Sequence, residues 1–203
     1  MKKIWEKQYE EKKPPWNYDY FDKDLSEFFR KRCFDNKKFS VIDLGCGNGS
    51  QAHYIENQFG NERKIFNVTA TDIVNALEYD IKNFIIDDAL DSKLTKKYDI
   101  IIDRGLIHNL FHLKDKRHKY FEMIGNIIHD ESYIVLKVLS PYEARFNPTT
   151  HSGPYRFNEK QLMEFFSGFG LKCIQLKDTF FYSNIEPPLR GYFSVYKKGN
   201  INV

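Results

Sequence analysis

The stretch VIDLGCGNGS, residues 41–50, decides the fold of this chain. Its first four residues are apolar apart from Asp43 and predict a short buried strand. The glycine-rich turn from Gly45 to Gly49 then leads into a helix that begins near Ser50. Because glycine has no Cβ, the backbone of such a turn can approach a ligand closely, and the helix N-terminus points N–H groups at it. The stretch therefore predicts a ligand-binding strand–turn–helix unit, with an ordinary tight turn as the alternative.

Two classes of cofactor use this arrangement, the dinucleotides and S-adenosylmethionine. The dinucleotide pattern is G-x-G-x-x-G or A. Here Ser50 stands at the third small position, and Gly49 is an additional glycine before it. Asp43 stands two positions before Gly45, where a carboxylate repels a pyrophosphate and attracts the amino group of a methionine moiety. The turn therefore favours S-adenosylmethionine, and NAD is the alternative.

Strand and helix patterns alternate along the rest of the chain. Further strands are predicted at 66–72, 84–88, 98–103, 133–139, 171–181 and 191–197, and helices at 24–33, 51–59 (ending near Gly60), 114–129 and 158–168. Such alternation indicates βαβ units and a parallel sheet, and the last two strands suit an antiparallel pair at one end. The predicted fold is α/β, a doubly wound, mostly parallel sheet of about seven strands with a C-terminal antiparallel strand. We expect residues 1–203 to form a single domain.

Composition limits the classes of partner. Net charge is +3, a balance too even to indicate nucleic acid as a partner. The three cysteines are scattered without a CxxC pair, so neither a disulfide framework nor a metal site is expected. The N-terminus has no apolar core typical of a signal peptide, and no apolar run is long enough to span a membrane. We therefore expect a cytoplasmic protein with no membrane partner.

The carboxyl ends of the other predicted strands carry residues that suit one ligand. In an open parallel sheet, ligands bind outside these ends. Asp72 ends the second strand, where a carboxylate can accept hydrogen bonds from both ribose hydroxyls. The run Asp87-Asp88-Ala89 lies at the end of the third strand, where a carboxylate can accept the adenine amino group and Ala89 leaves room for the ring. The fourth strand ends in Asp103-Arg104-Gly105.

With these motifs, almost the whole chain resembles a class I S-adenosylmethionine-dependent methyltransferase. It most resembles the small-molecule branch that includes thiopurine S-methyltransferase and the tellurite-resistance methyltransferases. One basis is IIDRGLIHNL, residues 101–110, where Asp103-Arg104-Gly105 matches the Asp-Arg-Gly of thiopurine methyltransferases. The other is the spacing of Trp5, Tyr9 and Trp16, although Tyr9 replaces the second Trp of that family. The resemblance implies that residues 1–22 form an aromatic lid that closes over the cofactor.

The cofactor site is predicted from the turn, the strand ends and the resemblance together. The residues expected to bind S-adenosylmethionine are Trp5, Tyr9, Trp16, Asp43, Leu44, Gly45, Cys46, Gly47, Asp72, Ile73, Asp88, Ala89 and Arg104. Of these, the resemblance alone implies roles for Trp5, Tyr9, Trp16, Leu44 and Arg104.

The acceptor site is expected beside the fourth strand. His108 and Asn109 stand where thiopurine enzymes have small and apolar residues, so a thiopurine-like acceptor is in doubt. We expect a small-molecule acceptor, such as a thiol or another soft nucleophile. Its pocket should be formed by the N-terminal segment, His108, Asn109 and the loop Tyr142–Tyr155, with Tyr155 as a candidate contact. His108 is the candidate catalytic residue, through orientation or deprotonation of the acceptor. Its alternative role is to fix the shape of the loop.

Two other functions remain open at this stage. An NAD-dependent oxidoreductase would use the same turn, and a methyltransferase-like protein could bind the cofactor without catalysis. The pair His108 and His112 has the spacing of a metalloprotease helix, but the Glu after the first His is missing, so His112 is expected to be a surface or packing residue. Cys46 is expected to fit a tight turn rather than to act as a nucleophile.

Overall fold

The computed structural model describes residues 2–10, 14, 16–33, 37–59, 65–145 and 154–198. Within these ranges seven strands form one sheet: β1 Phe39–Leu44, β2 Phe66–Asp72, β3 Phe84–Ile86, β4 Ile100–Arg104, β5 Tyr133–Leu139, β6 Leu171–Phe181 and β7 Leu189–Lys198. Their order across the sheet is β3-β2-β1-β4-β5-β7-β6. The first five are mutually parallel, and β7 runs antiparallel to both β5 and β6. This is the predicted doubly wound fold.

Helices connect the strands on both faces of the sheet. The α-helices are α1 Lys2–Glu10, α2 Lys23–Arg32, α3 Ser50–Tyr54, α4 Leu106–Leu110, α5 Arg117–Ile127 and α6 Glu159–Glu164. A π-helical turn, Ile55–Phe59, continues α3, and a 3₁₀ turn, Ser167–Phe169, follows α6. Gly60, the predicted end of the helix at 51–59, lies outside the described residues, as do Pro15 and residues 146–153 of the predicted acceptor loop. No helix in the described part is long and apolar enough to cross a membrane.

Several element boundaries differ from the sequence expectation. β3 ends at Ile86 because its partner β2 ends at Asp72, so the chain beyond Ile86 has no strand to pair with. Helix α4 is not among the predicted helices, because its five residues are too few to show a helical period in the sequence. Helix α5 is shorter than expected, because Ile128 already has an extended backbone.

The sheet separates two hydrophobic cores. Alternate residues of each strand face opposite sides, so Val41 belongs to one core and Ile42 to the other. Phe29 of α2 packs on the side of Val41, and Ile124 of α5 packs on the side of Ile42. Because both faces are covered, the parallel strands read as nearly continuous apolar runs.

The register brings the carboxyl ends of the parallel strands to one edge. Leu44 at the end of β1 lies beside Thr71 in β2 and Asp103 in β4. Arg104 lies beside Lys137 in β5. The polar residues that end the strands therefore share one edge of the sheet, as the sequence predicts.

Candidate active site

A cavity of about 350 Å³ lies at this edge of the sheet. The glycine turn, the ends of β2 and β4, helix α4 and the N-terminal aromatic residues form its wall. Every residue predicted to bind the cofactor lines it: Trp5, Tyr9, Trp16, Asp43, Leu44, Gly45, Cys46, Gly47, Asp72, Ile73, Asp88, Ala89 and Arg104. His108 and Asn109 line the same cavity. The predicted cofactor residues and two of the three predicted acceptor residues are therefore brought together.

The glycine turn has the backbone conformation that its sequence predicts. Gly45 and Gly47 have φ angles of 64° and 59°, in the left-handed region that favours glycine. A Cβ on Gly47 would lie 3.3 Å from the hydroxyl of Tyr9, so a larger side chain would fill the approach to the turn. The Cys46 N–H donates to the carbonyl of Thr71 at 2.9 Å, which ties the turn to β2.

The start of helix α3 differs from the expectation of free N–H groups. The Ser50 N–H donates to the side-chain oxygen of Asn48 at 3.2 Å. The Gly47 N–H donates to Asp72 Oδ2 at 2.9 Å. These donors are already bonded, and carboxylates stand on both sides of the turn. The arrangement is therefore unsuited to a pyrophosphate.

Asp43 is a buried carboxyl group with an unbonded oxygen. Its Oδ2 has no hydrogen-bond partner in the described part of the chain. Burial raises the pKa of Asp43 to about 7, against the opposing effect of Arg104 and with contributions from Asp103 and Asp72. An ammonium group in the cavity would supply both a hydrogen-bond donor and a positive charge to this oxygen.

Asp72 is also buried at the cavity wall. Its carboxylate accepts the N–H groups of Gly47 and Val74, at 2.9 and 3.2 Å. Burial raises its pKa, and these backbone donors oppose the rise. A carboxylate oxygen can accept more than one hydrogen bond. Asp72 therefore keeps acceptor capacity for ribose hydroxyls.

Asp103 holds the start of helix α4. Its buried carboxylate accepts the N–H groups of Leu106 and Ile107, at 2.8 and 3.0 Å, and the hydroxyl of Tyr120 at 2.8 Å. Asp103 does not line the cavity, so it contributes to the site by fixing the position of α4. The short helix that it caps places His108 on the cavity wall.

Arg104 reaches the cavity from the end of β4. Its Nε donates to Asp22 Oδ2 at 3.1 Å, and its Nη2 donates to the carbonyl of Tyr182. The guanidinium carbon lies 4.5 Å from the ring centre of Phe181. Arg104 is therefore held on several sides and presents a fixed positive charge at the cavity wall.

His108 is an uncharged histidine in the cavity wall. It is buried, and its Nδ1 has no partner among the described residues. Burial, together with the charge of Arg104, lowers its pKa to about 3. The imidazole is therefore neutral near pH 7, and it is a much weaker base than the unperturbed side chain on which a proton-transfer role was based. Its unbonded Nδ1 can form a hydrogen bond with a ligand in the cavity.

The remaining predicted residues of this region have different positions. Asn109 lines the cavity and donates from Nδ2 to the carbonyl of Gly105 at 2.7 Å. Tyr155 is not part of the cavity wall; its ring packs 4.6 Å from that of Phe111. The Tyr155 N–H donates to the His108 carbonyl at 2.6 Å, so this residue supports α4. His112 is exposed, as predicted.

Three N-terminal aromatic residues cover the glycine turn. Trp5 and Tyr9 pack edge-on against Trp16, with ring centres 5.4 and 5.9 Å apart. Trp16 Nε1 donates to the Tyr9 hydroxyl at 3.3 Å. All three side chains line the cavity, so the aromatic residues of the predicted lid lie together in its wall.

Sequence reasoning missed several residues of the cavity wall. Asn17 is buried, and its Oδ1 has no partner in the described part of the structure. Its position beside Trp16 was the only sequence signal. Leu139, Phe181 and Leu189 form a small apolar cluster that also lines the cavity. These three come from distant segments, and only the β5–β7–β6 pairing brings them together.

The residues of the cavity fit S-adenosylmethionine. Its methionine moiety carries one ammonium and one carboxylate, and the cavity presents the unbonded oxygen of Asp43 and the guanidinium of Arg104. Asp72 and Ala89, which are predicted to contact the ribose and the adenine, line the same cavity. No group of three or more His, Cys, Asp or Glu side chains able to hold a metal ion occurs among the residues that the structure describes.

Comparisons with known proteins agree with this geometry. Residues 16–176 match a family described as a methyltransferase domain. No curated protein matches the chain in sequence.

Solved structures show the same fold at low sequence identity. An S-adenosylmethionine-dependent methyltransferase from Anabaena variabilis aligns with a TM-score of 0.74 at 14% identity, over 98% of this chain and 95% of that one. The 1,6-didemethyltoxoflavin N1-methyltransferase of Burkholderia thailandensis aligns at 0.72 and 14% identity, over 98% and 87%. Its structure holds 1,6-didemethyltoxoflavin and S-adenosylhomocysteine. A protein of echinomycin biosynthesis, studied for conversion of a disulfide bond into a thioacetal group, aligns at 0.74 and 15% identity, over 98% and 93%.

The family match spans more than half of the chain and includes the glycine turn, the strand ends and α4. The fold and the cavity agree with it. The chain therefore belongs to the methyltransferase-domain family, as an S-adenosylmethionine-dependent methyltransferase.

Proposed function

We propose that this enzyme methylates a small-molecule acceptor, a thiol or another soft nucleophile. The observation that carries the proposal is the composition of the acceptor half of the cavity. Leu139, Phe181 and Leu189 provide apolar surface there, and His108 provides a neutral imidazole with an unbonded nitrogen. Such a pocket suits an apolar molecule with one polar reacting group.

The cofactor pose follows from charge and position. Asp43 would hold the ammonium, Arg104 the carboxylate and Asp72 the ribose hydroxyls. Asp88 and Ala89 would face the adenine. The sulfonium supplies an electrophilic methyl group, and the protein supplies orientation and exclusion of water.

The low pKa of His108 bears on the acceptor chemistry. A histidine with a pKa of about 3 removes a proton from an alcohol or an amine poorly at neutral pH. A thiol ionises more readily and is a strong nucleophile once ionised. His108 would then orient the acceptor through Nδ1, so the site favours a soft nucleophile over a hydroxyl.

A small acceptor also fits the size of the cavity, which is about 350 Å³. Trp5, Tyr9 and Trp16 pack together and form part of its wall. The toxoflavin methyltransferase shows that a protein of this fold can bind a small ring compound.

The even charge balance of the chain argues against nucleic acid as the acceptor. A cytoplasmic location and kinship with the thiopurine and tellurite branch belong to the same proposal, the latter through Asp103-Arg104-Gly105.

The two alternative functions are less well supported. An NAD-dependent oxidoreductase would need to place a pyrophosphate between Asp43 and Asp72, and the carboxylate of Asp72 and the ionised fraction of Asp43 would repel it. A non-catalytic cofactor-binding protein would not need an acceptor pocket beside the methyl donor.

Turnover of labelled S-adenosylmethionine across small thiols, selenols, amines and phenols tests the proposal. We expect transfer to a thiol or selenol and a His108→Ala variant with kcat lowered by about tenfold or more, the effect of losing one orienting hydrogen bond. His112→Ala is the matched control, since that histidine is exposed. If kcat of the wild type falls below about pH 6.5 and this fall is absent in His108→Ala, the histidine transfers a proton instead. Transfer to RNA or protein without small-molecule turnover would overturn the proposal.

A further inference from the structure

A cluster of buried charges lies directly behind the cavity wall. We call Asp22, Asp24, Arg104 and Lys137 the buried ion cluster. Lys137 Nζ lies 2.8 and 2.7 Å from the two carboxylate oxygens of Asp22 and 2.7 Å from Asp24 Oδ2. The Lys137 side chain is only 1% exposed, although it belongs to a strand in the interior of the sheet. A buried charge of this kind is costly, so its place calls for a physical reason.

The strand register supplies part of that reason. Lys137 in β5 is the direct partner of Arg104 in β4, so two cations stand side by side on neighbouring strands. Asp22 contacts both, with one oxygen 3.1 Å from Arg104 Nε and 2.7 Å from Lys137 Nζ. Without that carboxylate the cations would repel each other, and the guanidinium would be displaced.

Asp22 is itself held in place. Its N–H donates to Gln51 Oε1 at 2.8 Å, and its Oδ1 accepts the Asp24 N–H at 3.0 Å as the N-cap of α2. Burial alone would raise the pKa of Asp22, but Lys137 and Arg104 bring it below the ordinary value. The carboxylate is therefore charged at neutral pH and is a fixed anchor for Arg104.

We propose that Lys137 is a positioning residue for the cofactor. It fixes Asp22, and Asp22 aims the guanidinium of Arg104 at the carboxylate of the methionine moiety. The inference rests on the proposed cofactor pose, in which Arg104 receives that carboxylate. Lys137 itself touches neither cofactor nor acceptor, since it does not line the cavity.

Two ligands separate this role from a general effect on the fold. S-adenosylhomocysteine carries the amino-acid group with its carboxylate and ammonium, and 5′-methylthioadenosine has the same thioadenosine without that group. In Lys137→Met, we expect affinity for S-adenosylhomocysteine to fall by about tenfold or more, as for a lost hydrogen bond between charged groups. Affinity for 5′-methylthioadenosine should change by less than about twofold, because its contacts lie elsewhere.

Lys177→Met is the matched control. Lys177 also pairs with Asp24, at 2.9 Å, and with Glu27 at 3.2 Å, but it touches neither Asp22 nor Arg104. Both affinities should stay within about twofold of the wild type. Removal of Lys137 takes a cationic partner away from two buried carboxylates, Asp22 and Asp24. Circular dichroism must therefore show that the variant folds.

Asp22→Asn provides a second variant if Lys137→Met does not fold. Asparagine keeps the helix cap but not the charge, so the same selective loss of S-adenosylhomocysteine affinity is expected. Equal weakening of both ligands, or of neither, would overturn the inference. If the wild type binds both ligands with equal affinity, Arg104 does not bind the amino-acid carboxylate, and the inference is overturned. Wild type that binds S-adenosylhomocysteine selectively but methylates no acceptor would refute the proposed function and leave this inference intact.

Discussion

At the scale of single residues, three unbonded polar atoms belong to residues of the cavity wall. Asp43 Oδ2, His108 Nδ1 and Asn17 Oδ1 are buried without a partner in the described part of the chain, and all three residues line the cavity. Burial of an unpaired polar group is unfavourable. It shifts the pKa of Asp43 up to about 7 and that of His108 down to about 3, so both favour the neutral form. The site thus holds unsatisfied groups that a polar ligand can satisfy.

The raised pKa of Asp43 predicts a pH-dependent cofactor affinity. In the free enzyme this carboxyl is about half protonated at pH 7. The cofactor ammonium favours the carboxylate, so the bound enzyme holds fewer protons. Affinity for S-adenosylhomocysteine should therefore rise with pH up to about 7 and level off above it. Titration calorimetry between about pH 5.5 and 8.5 measures this dependence.

The Asp43→Asn variant provides the control. Its affinity should be weaker at pH 8 and should no longer depend on pH. An unchanged slope would assign the titration to Asp72 or Asp103, whose pKa values burial also raises. The folded pKa of Asp43 exceeds its unfolded value of about 3.9, so the buried carboxyl destabilises the free enzyme increasingly from about pH 4 to 7. Asp43→Asn should consequently have a higher Tm than wild type at pH 8.

At the scale of elements, helix α1 depends on the rest of the site for its position. None of its residues is buried, and Trp5 and Tyr9 make its ring contacts with Trp16. An isolated helix of this length is marginal in water. A ligand beneath these rings would add contacts and stabilise the helix over the cavity, as expected for a lid.

Tryptophan fluorescence tests the lid directly. Trp5 and Trp16 are the only tryptophans in the sequence, and both line the cavity. We expect S-adenosylhomocysteine to shift their emission and to slow proteolysis of the N-terminal segment, because the cofactor excludes water from the rings. Trp5→Phe should remove part of the signal and weaken binding. If emission and proteolysis are both indifferent to the ligand, the segment is a fixed part of the core.

At the scale of the whole molecule, one sheet lies between two hydrophobic cores that are formed by different residues. Phe29 belongs to the core on one face and Phe166 to the core on the other, and both side chains are fully buried. The strands between them contribute alternate residues to each core. Loss of packing on either face should therefore unfold the same sheet.

Truncation of either phenylalanine tests whether the chain folds as one unit. Phe29→Ala and Phe166→Ala should each lower the free energy of unfolding by about 3–5 kcal/mol, the usual effect of such a change in a core. Met163→Ala, at an exposed position, should change it by less than about 0.5 kcal/mol. Urea unfolding followed by circular dichroism and fluorescence should give one coincident transition in each case. Two separate transitions would contradict the single domain predicted from the sequence.

The sequence by itself determined the sheet and the part of the cavity wall formed by the glycine turn and the strand ends. Strands such as β4 and β5 are mostly apolar with clear ends, and parallel strands bring those ends to one edge. The positions of Asp43, Asp72 and Ala89 follow from that rule alone. The glycine turn is equally local, since its conformation depends on residues adjacent in the chain.

Only the tertiary structure decided the apolar part of the cavity wall and the charge state of the site. Leu139, Phe181 and Leu189 meet because β7 pairs with β5 and β6, a long-range contact with no local signal. The neutral state of His108 follows from burial by distant segments, and it reverses the expectation from its unperturbed pKa. Arg104 and Lys137 share Asp22 although the acid is more than 80 residues away along the chain. Burial and long-range charge pairing depend on the folded arrangement, so residue type and spacing do not determine them.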